Sequence, residues 1–232
     1  MSKSYGQFCP VATAAEVFCE RWNALIIREL VSGSETFNDI RMGVTRVSPS
    51  LLSSRLKALE RAGVIDREKL GGKVRYQLTQ AGRELRPLIM ELGIWGQRWA
   101  RSDLSESHLD PGYLVWDIRR RIDLTHFPAR RTVVRFEFTE FFGKQRFWWL
   151  VINNGEVDLC RTDPGYEVDL AIASPLKLLT QVWMGDVELS RALAGKGLGV
   201  TGDATLRKTM GAWFTLSVVA DIGPCGSDDG QI

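Results

Sequence analysis

The chain has little of the chemistry that marks an enzyme or a metal site. Its 232 residues include two histidines, His108 and His126, and four cysteines, Cys9, Cys19, Cys160 and Cys225, none of them in a CxxC pair. Thiols so few and so scattered exclude a disulfide framework and leave a structural zinc site without ligands. HExxH, GxSxG and P-loop patterns are absent, and no spacing of Asp and Glu stands out from solvated surface, so neither catalysis nor a cofactor is expected. Gly195-Lys196-Gly197-Leu198-Gly199 resembles a phosphate loop only in its glycines, because it follows a helical pattern and lacks the Lys-Ser/Thr ending. No apolar run approaches the ~18 to 20 residues that span a membrane, and Met1 to Phe8 lacks the apolar core of a signal peptide. The expectation is a cytoplasmic protein without a membrane partner.

What the chain does have is a well-packed composition, 44% apolar and 25% charged, in a length that suits two domains. Its charge is uneven. The net charge is +2, yet the first 102 residues carry 16 Lys and Arg against 10 Asp and Glu, and the remaining 130 carry 14 against 18. The excess concentrates in residues 41 to 75, where nine basic residues (Arg41, Arg46, Arg55, Lys57, Arg61, Arg67, Lys69, Lys73, Arg75) face three acidic ones (Glu60, Asp66, Glu68). Such asymmetry points to a polyanion-binding half joined to something else.

Local patterns give that half a shape. Pro10 suits a first helical turn, and Val11, Ala14, Ala15 and Phe18 recur at helical spacing. Trp22, Leu25, Ile26, Glu29 and Leu30 form a second amphipathic pattern, closed by Ser32-Gly33-Ser34. Ser34 or Thr36 then caps a short third helix with Phe37 and Ile40 inward. Ser48-Pro49 is a helix start and Ala62-Gly63 a stop, with Leu52, Leu56 and Leu59 as an inward stripe. The opposite face carries Ser50, Ser53, Ser54 and Lys57, with Arg46 and Ser48 at its entrance: small donors and cations able to approach phosphates and base edges in a major groove. A solvated surface face remains the plain alternative. Val64 to Leu70 and Lys73 to Leu78 flank Gly71-Gly72, a two-residue hairpin turn. Pairing across it places Ile65 opposite Leu78, Lys69 opposite Val74 and Glu68 opposite Arg75, so Arg75 either contacts DNA or is neutralised by Glu68. Lys73, at the tip, is the safer contact. Thr79 opens a fifth helix, bent at Pro87, whose stripe of Leu85, Leu88, Ile89, Leu92, Trp95 and Trp99 is too long for a small domain to cover. That stripe predicts a homodimer, with recognition helices roughly 34 Å apart on successive major grooves of double-stranded DNA.

Cys9-Pro10-Val11, Arg21-Trp22, Ile27-Arg28-Glu29-Leu30, Phe37-Asn38-Asp39-Ile40, Ser48 to Leu59, Tyr76-Gln77-Leu78-Thr79 and Gly82-Arg83-Glu84-Leu85 together resemble the HxlR-type family of winged-helix regulators, related to the MarR group. The resemblance covers about residues 8 to 101. It implies a homodimeric bacterial transcription regulator that uses its first and last helices as the dimer surface. Some members sense oxidants or electrophiles through a cysteine near the N-terminus, and Cys9 occupies that position; a small buried hydrophobe would suit the site equally. Cys19-Glu20 departs from the family, which commonly carries small residues there. The larger departure is length, since typical members stop soon after the dimer helix.

In the second half, residues 111 to 122 read as a helix, and alternation of Val134, Phe136 and Phe138 with Arg135 and Glu137 marks a half-buried strand. Arg146 to Ile152, the turn Asn153-Asn154-Gly155 and Glu156 to Cys160 read as a hairpin, and Glu167 to Ile172 as a further strand of an antiparallel sheet. Residues 175 to 184, 187 to 194 and 203 to 214 read as helices. The order resembles the sterol-carrier-protein fold over about residues 110 to 216, which implies a hydrophobic tunnel between sheet and helices. The lining would come from Phe136, Phe138, Phe147, Trp149, Leu170, Leu178, Trp183, Leu206 and Met210, each of which also suits plain core. The expected fold is thus α+β: a winged helix-turn-helix domain over 1–102, a linker over 103–110, an α/β domain with an antiparallel sheet covered by helices over 111–225, and a tail over 226–232. The leading functional expectation is a DNA-binding regulator whose second domain takes a small hydrophobic ligand. The alternative is redox or electrophile sensing through Cys9, with the second domain serving protein interaction or reinforcing a dimer.

Overall fold

The structure, a computed structural model, describes residues 4–100 and 104–222. The expected tail over 226–232, Cys225 and Ser102-Asp103 of the connector lie outside the described residues. The chain divides into two compact units, Met1–Gly93 and Ile94–Ile232.

The first unit contains α1 (Pro10–Phe18), α2 (Asn23–Val31), α3 (Phe37–Gly43), α4 (Pro49–Arg61), the hairpin β1 (Ile65–Leu70) and β2 (Lys73–Leu78), and α5 (Gln80–Glu84). Then comes α6 (Arg86–Trp95), within which the division falls, followed by a π-helical turn over Gly96–Ala100. Local chemistry sets the starts. Thr36 accepts the amide of Asp39 at 3.2 Å while the Asp39 carboxylate accepts the amide of Thr36, a reciprocal box that opens α3. Ser48 Oγ accepts the Leu51 amide at 3.3 Å ahead of Pro49, opening α4, and Gly63 at φ +70° ends it in the left-handed region. Thr79 Oγ1 does the same for α5, accepting the Gly82 amide.

Leu52, Leu56 and Leu59 are buried, as their spacing requires, beside Ile26, Ile27, Leu30, Ile40, Val44, Val47, Val64, Ile65 and Ile89. At about 1.5 to 3 kcal/mol for each buried leucine, the α4 stripe is the main anchor of that helix. The α2 pattern turns out to be offset from the expected one. Ile27 is buried and Leu25 faces outward at 39% exposure. The inward face also holds Glu29, fully buried: its Oε1 accepts from Arg28 Nε (3.2 Å) and Nη2 (2.9 Å), and its Oε2 accepts from Ser34 Oγ (3.2 Å). Arg28 Nη2 also donates to the Gly43 carbonyl at 2.8 Å, which ties α2 to the end of α3. A Cβ on Gly43 would come within 1.9 Å of the Glu29 carboxylate carbon, so any larger residue there must displace that carboxylate.

The fifth helix is not one bent rod but two helices, α5 and α6, separated at Leu85. Pro87 cannot donate to the carbonyl of Arg83, and its ring crowds that carbonyl, so the backbone bond that would bridge the break is missing.

After the end of α6 and the π-helical turn, the second unit runs on to α7 (Pro111–Arg119), capped by Asp110, whose carboxylate accepts the Tyr113 amide at 3.0 Å. It continues with β3 (Thr132–Phe138), β4 (Phe147–Asn153), β5 (Glu156–Cys160), β6 (Leu170–Ser174), α8 (Leu176–Trp183), α9 (Leu189–Ala194), β7 (Gly199–Gly202), α10 (Ala204–Lys208) and α11 (Met210–Trp213). The five strands form one sheet in the order β5-β4-β3-β6-β7. The sheet is mixed, not antiparallel throughout: β3 pairs parallel with β6, and the other pairs are antiparallel. A parallel pair needs a crossover, and the β4–β5 hairpin and the segment leading to β6 supply it. Strand β7 completes the sheet from a glycine-rich segment that carries no strand pattern in the sequence. The last helical stretch is two short helices, broken at Thr209.

Candidate DNA-reading surface and apolar site

An α-helix turns about 100° per residue. With Leu52, Leu56 and Leu59 inward, Ser50, Ser54, Lys57 and Arg61 fall on the far side of α4, and all four are exposed. Ser53 lies on the flank, half-buried. Arg46 and Ser48 are exposed just ahead of the helix. Ser48 is already engaged, since its hydroxyl accepts the Leu51 amide and lies 3.2 Å from Ser50 Oγ. Its first role is therefore to start α4.

Next in the chain, the hairpin pairs in the expected register, Ile65 with Leu78, Lys69 with Val74 and Glu68 with Arg75. Gly71 (φ +55°) and Gly72 (φ +81°) both take the positive angles of a tight turn. Lys73 is exposed at the tip. Arg75 has a different carboxylate partner from the expected one. Its Nη1 donates to Glu35 Oε2 at 3.0 Å, Thr36 forms a bridge with Arg75, and the Tyr76 amide donates to the Glu35 carbonyl at 2.7 Å. The loop after α2 thereby joins the hairpin as a fragment of a third strand. A second cation of the basic stretch is likewise engaged: Arg55 Nη2 lies 2.6 Å from Glu20 Oε1, with both side chains largely covered.

Apolar side chains are left exposed on α1, along α6 and in the turn that follows it. Helix α1 buries no residue, and Phe8 and Val11 are exposed. On α6, Ile89 is buried while Leu88, Leu92 and Trp95 are exposed, as is Trp99 in the π-helical turn. Cys9 is the N-cap of α1, half-buried, and Cys19 its exposed C-cap; both are free thiols, as is Cys160.

The apolar candidates of the second unit separate into two groups. Cross-strand partners share a face of a sheet. Phe136 pairs with Trp148 and Ile172, Val134 with Leu150 and Leu170, and Phe138 with Ser174. This face lies under α7, because a Cβ on Gly112 of that helix would come within 2.9 Å of the Trp148 ring. Phe147 and Trp149 pair instead with Glu137 and Arg135, which puts them on the opposite face. There Val133, Trp149 and Val151 form a separate cluster with Phe147, Cys160 and Val168. Phe147 and Trp149 therefore do not share a face with Phe136, Phe138 and Leu170, as the expected tunnel requires; Trp148 and Leu150 do. Trp183, Leu206 and Met210 are buried on α8, α10 and α11, and Leu178 is half-buried. Trp183 Nε1 donates to Asp117 of α7 at 2.9 Å, and its ring meets Phe214 edge-on at 5.5 Å. On the opposite face, burial and the neighbouring Asp158 push the Cys160 thiol pKa up. Among the described residues no helix is long and apolar enough to cross a membrane.

Comparison with known proteins adds the following. Residues 17–104 match the family model of the HxlR-like helix-turn-helix. The chain is 34% identical over 94 residues to the uncharacterized HTH-type transcriptional regulator YdeP of Bacillus subtilis, covering 39% of this chain and 73% of that protein. It is 32% identical over 112 residues to the uncharacterized HTH-type transcriptional regulator YvaP of the same organism, covering 47% of this chain and 95% of that one. Among solved structures, quinone-bound YodB from B. subtilis is similar at 33% identity, over 38% of this chain and 97% of that chain, with a TM-score of 0.35.

Proposed function

Because the chain belongs to the HxlR-like helix-turn-helix family of transcriptional regulators, we propose that it works as a homodimer that reads operator DNA with α4 and its wing, and that its second unit binds a small hydrophobic ligand that modulates this reading. The observation that carries the DNA part is the exposed far side of α4, Ser50, Ser54 and Lys57, followed directly by a hairpin with Lys73 at its tip. Serines keep the helix narrow enough to approach a groove floor, and the lysines add phosphate attraction. The exposed Leu88, Leu92 and Trp95 on α6 and the exposed Val11 of α1 support the dimer. For the ligand, the support is the sheet face of Phe136, Phe138, Trp148, Leu150 and Leu170, which lies under α7, as a sheet lies under helices in the sterol-carrier fold that the second half resembles.

The test combines both parts. Fluorescence anisotropy with duplex from upstream of the chain's own coding region, against a scrambled duplex, should show preference and a steep salt slope. Adding a pyrene-labelled fatty acid, whose binding is read by energy transfer from tryptophan, should then shift duplex affinity. If the fatty acid saturates the protein and leaves duplex affinity unchanged, the coupling is refuted.

A second reading, sensing of oxidants or electrophiles, is favoured by one observation: free thiols stand at both ends of α1, the one long helix of the first unit without a buried residue. In that reading the second unit serves protein interaction or reinforces the dimer. Loss of duplex binding on diamide treatment, reversed by thiol reductant and absent in Cys9→Ser, would support it over ligand control.

A further inference from the structure

The helix α2 is bracketed by two carboxylates, and each holds a different part of the reading surface. Glu20, just before α2, pairs with Arg55 of α4 at 2.6 Å. Glu35, just after it, pairs with Arg75 of the wing at 3.0 Å. Between them Glu29 and Arg28 fasten α3, through the Gly43 carbonyl. Arg75, whose side chain is half exposed, is held to the loop by Glu35, and Arg55 is turned away from any phosphate. Arg55 lies about 60° around α4 from Leu52, on the flank turned toward the core, whereas Lys57 and Ser54 lie about 140° and 160° away from that line. Its Nε is buried without a hydrogen-bond partner, so the guanidinium is committed to the protein side.

The turn that carries Glu20 is stiff. Trp22 adopts φ +81°, a left-handed conformation that a bulky side chain takes only under constraint. Its ring lies under the Arg21 guanidinium at 5.1 Å, and the buried Asn23 donates from Nδ2 to the Val17 carbonyl at 2.6 Å. The turn that carries Glu35 is held by the bridge to Arg75 and by the Tyr76 amide.

We propose that Glu20 and Glu35 are positioning residues for DNA reading: Glu20 fixes the seat of α4 through Arg55, and Glu35 fixes the wing through Arg75. This rests on the DNA-binding reading above. The two carboxylates repel phosphate and contribute nothing to attraction. Their effect is on geometry, and so on discrimination between sequences. The near-isosteric changes Glu20→Gln and Glu35→Gln remove the ion pairs while keeping the packing.

The test measures anisotropy on two duplexes, one selected by the parent protein from a random-sequence pool and one unselected, at salt concentrations from about 50 to 200 mM. Each Gln variant should lose about threefold or more in affinity for the selected duplex, keep its affinity for the unselected one, and keep the parent's salt slope. The reversed pairs, Glu20→Arg with Arg55→Glu and Glu35→Arg with Arg75→Glu, should recover selectivity. Unchanged affinity for the selected duplex overturns the proposal, as does an equal loss on both duplexes. A rise in affinity with a slope steeper by ~0.9 per freed arginine also overturns it, because the arginine would then be a phosphate ligand held in check. Amide hydrogen exchange on the free protein decides the clasps independently of DNA. Exchange should quicken in α4 for Glu20→Gln and in the hairpin for Glu35→Gln, and unchanged exchange refutes the proposal. A parent that selects no duplex, with the exchange pattern intact, would sink the DNA reading and leave the clasps standing.

Discussion

Lys73→Ala and Arg75→Ala sit two residues apart on one strand and test whether one cation touches phosphate while the other shapes the wing. Lys73 is exposed at the hairpin tip and has no ion pair among the described residues. Arg75 is bound to Glu35. Each phosphate neutralised contributes ~0.9 to the slope of log affinity against log salt. The proposed homodimer presents two wings, so Lys73→Ala should flatten the slope by ~1.8. Over a fourfold rise in salt, from about 50 to 200 mM, the variant should therefore lose about twelvefold less affinity than the parent does. The loss at low salt should fall alike on every duplex. Arg75→Ala should leave the slope unchanged and lower the preference for the selected duplex. The assay is anisotropy of a labelled duplex titrated at four or five salt concentrations. If Arg75→Ala flattens the slope as much as Lys73→Ala does, the Glu35 pair opens on DNA and the assignment of roles is wrong. If Lys73→Ala leaves the slope alone, the hairpin tip does not reach the phosphates.

Glu29→Ala leaves Arg28 and Ser34 without their buried acceptor and should cost about 3 to 5 kcal/mol in urea unfolding; a loss below about 1 kcal/mol would mean that the carboxylate is not the anchor of α2. Leu88→Glu with Leu92→Glu places charge on the exposed face of α6 and should halve the mass found by light scattering while the helical circular dichroism stays; a mass equal to the parent's would place the dimer contact elsewhere. Alkylation mapped by peptide mass spectrometry should mark exposed Cys19 first and Cys160 last, with Cys160 gaining only as pH rises, because its raised pKa leaves less thiolate at a given pH; early labelling of Cys160 would contradict its burial. Diamide should give no Cys9–Cys19 bridge within one chain, since the intact α1 holds those residues roughly 15 Å apart, beyond the ~7 Å that a disulfide spans.

The first unit was legible where its information is local. Caps at Thr36, Ser48 and Thr79 are written in residue type, the α4 stripe in spacing, and the hairpin register in the two glycines between its strands. Misreadings arose where tertiary partners decide. Leu25 and Ile27 are both apolar and straddle the edge of α2, so spacing alone does not say which turns inward. Glu29 fits the inward stripe yet is a charge, and only the arrival of Arg28, Ser34 and Gly43 explains why it stays there. Pro87 was visible, but whether it bends a helix or splits it depends on what can hold the two halves together.

Two kinds of information lie beyond a linear reading, and both bear on function. A count of charges over residues 41 to 75 treats all nine cations as available, whereas Arg55 and Arg75 are neutralised by Glu20 and Glu35, which lie outside that stretch. Position in sequence hides the pairing because α2 brings its two ends to different partners. Within the apolar set of the second unit, parity sets Phe147 and Trp149 apart. Strand residues alternate between faces, and Phe147 and Trp149 are as apolar as Trp148, so composition gives no reason to prefer one set. The register across β3 and β4 does: Phe136 faces Trp148, and Arg135 faces Trp149. That assignment makes the ligand reading sharper, because a probe bound under α7 must be sensed by Trp148, and a probe sensed by Trp149 instead would lie on the wrong side of the sheet.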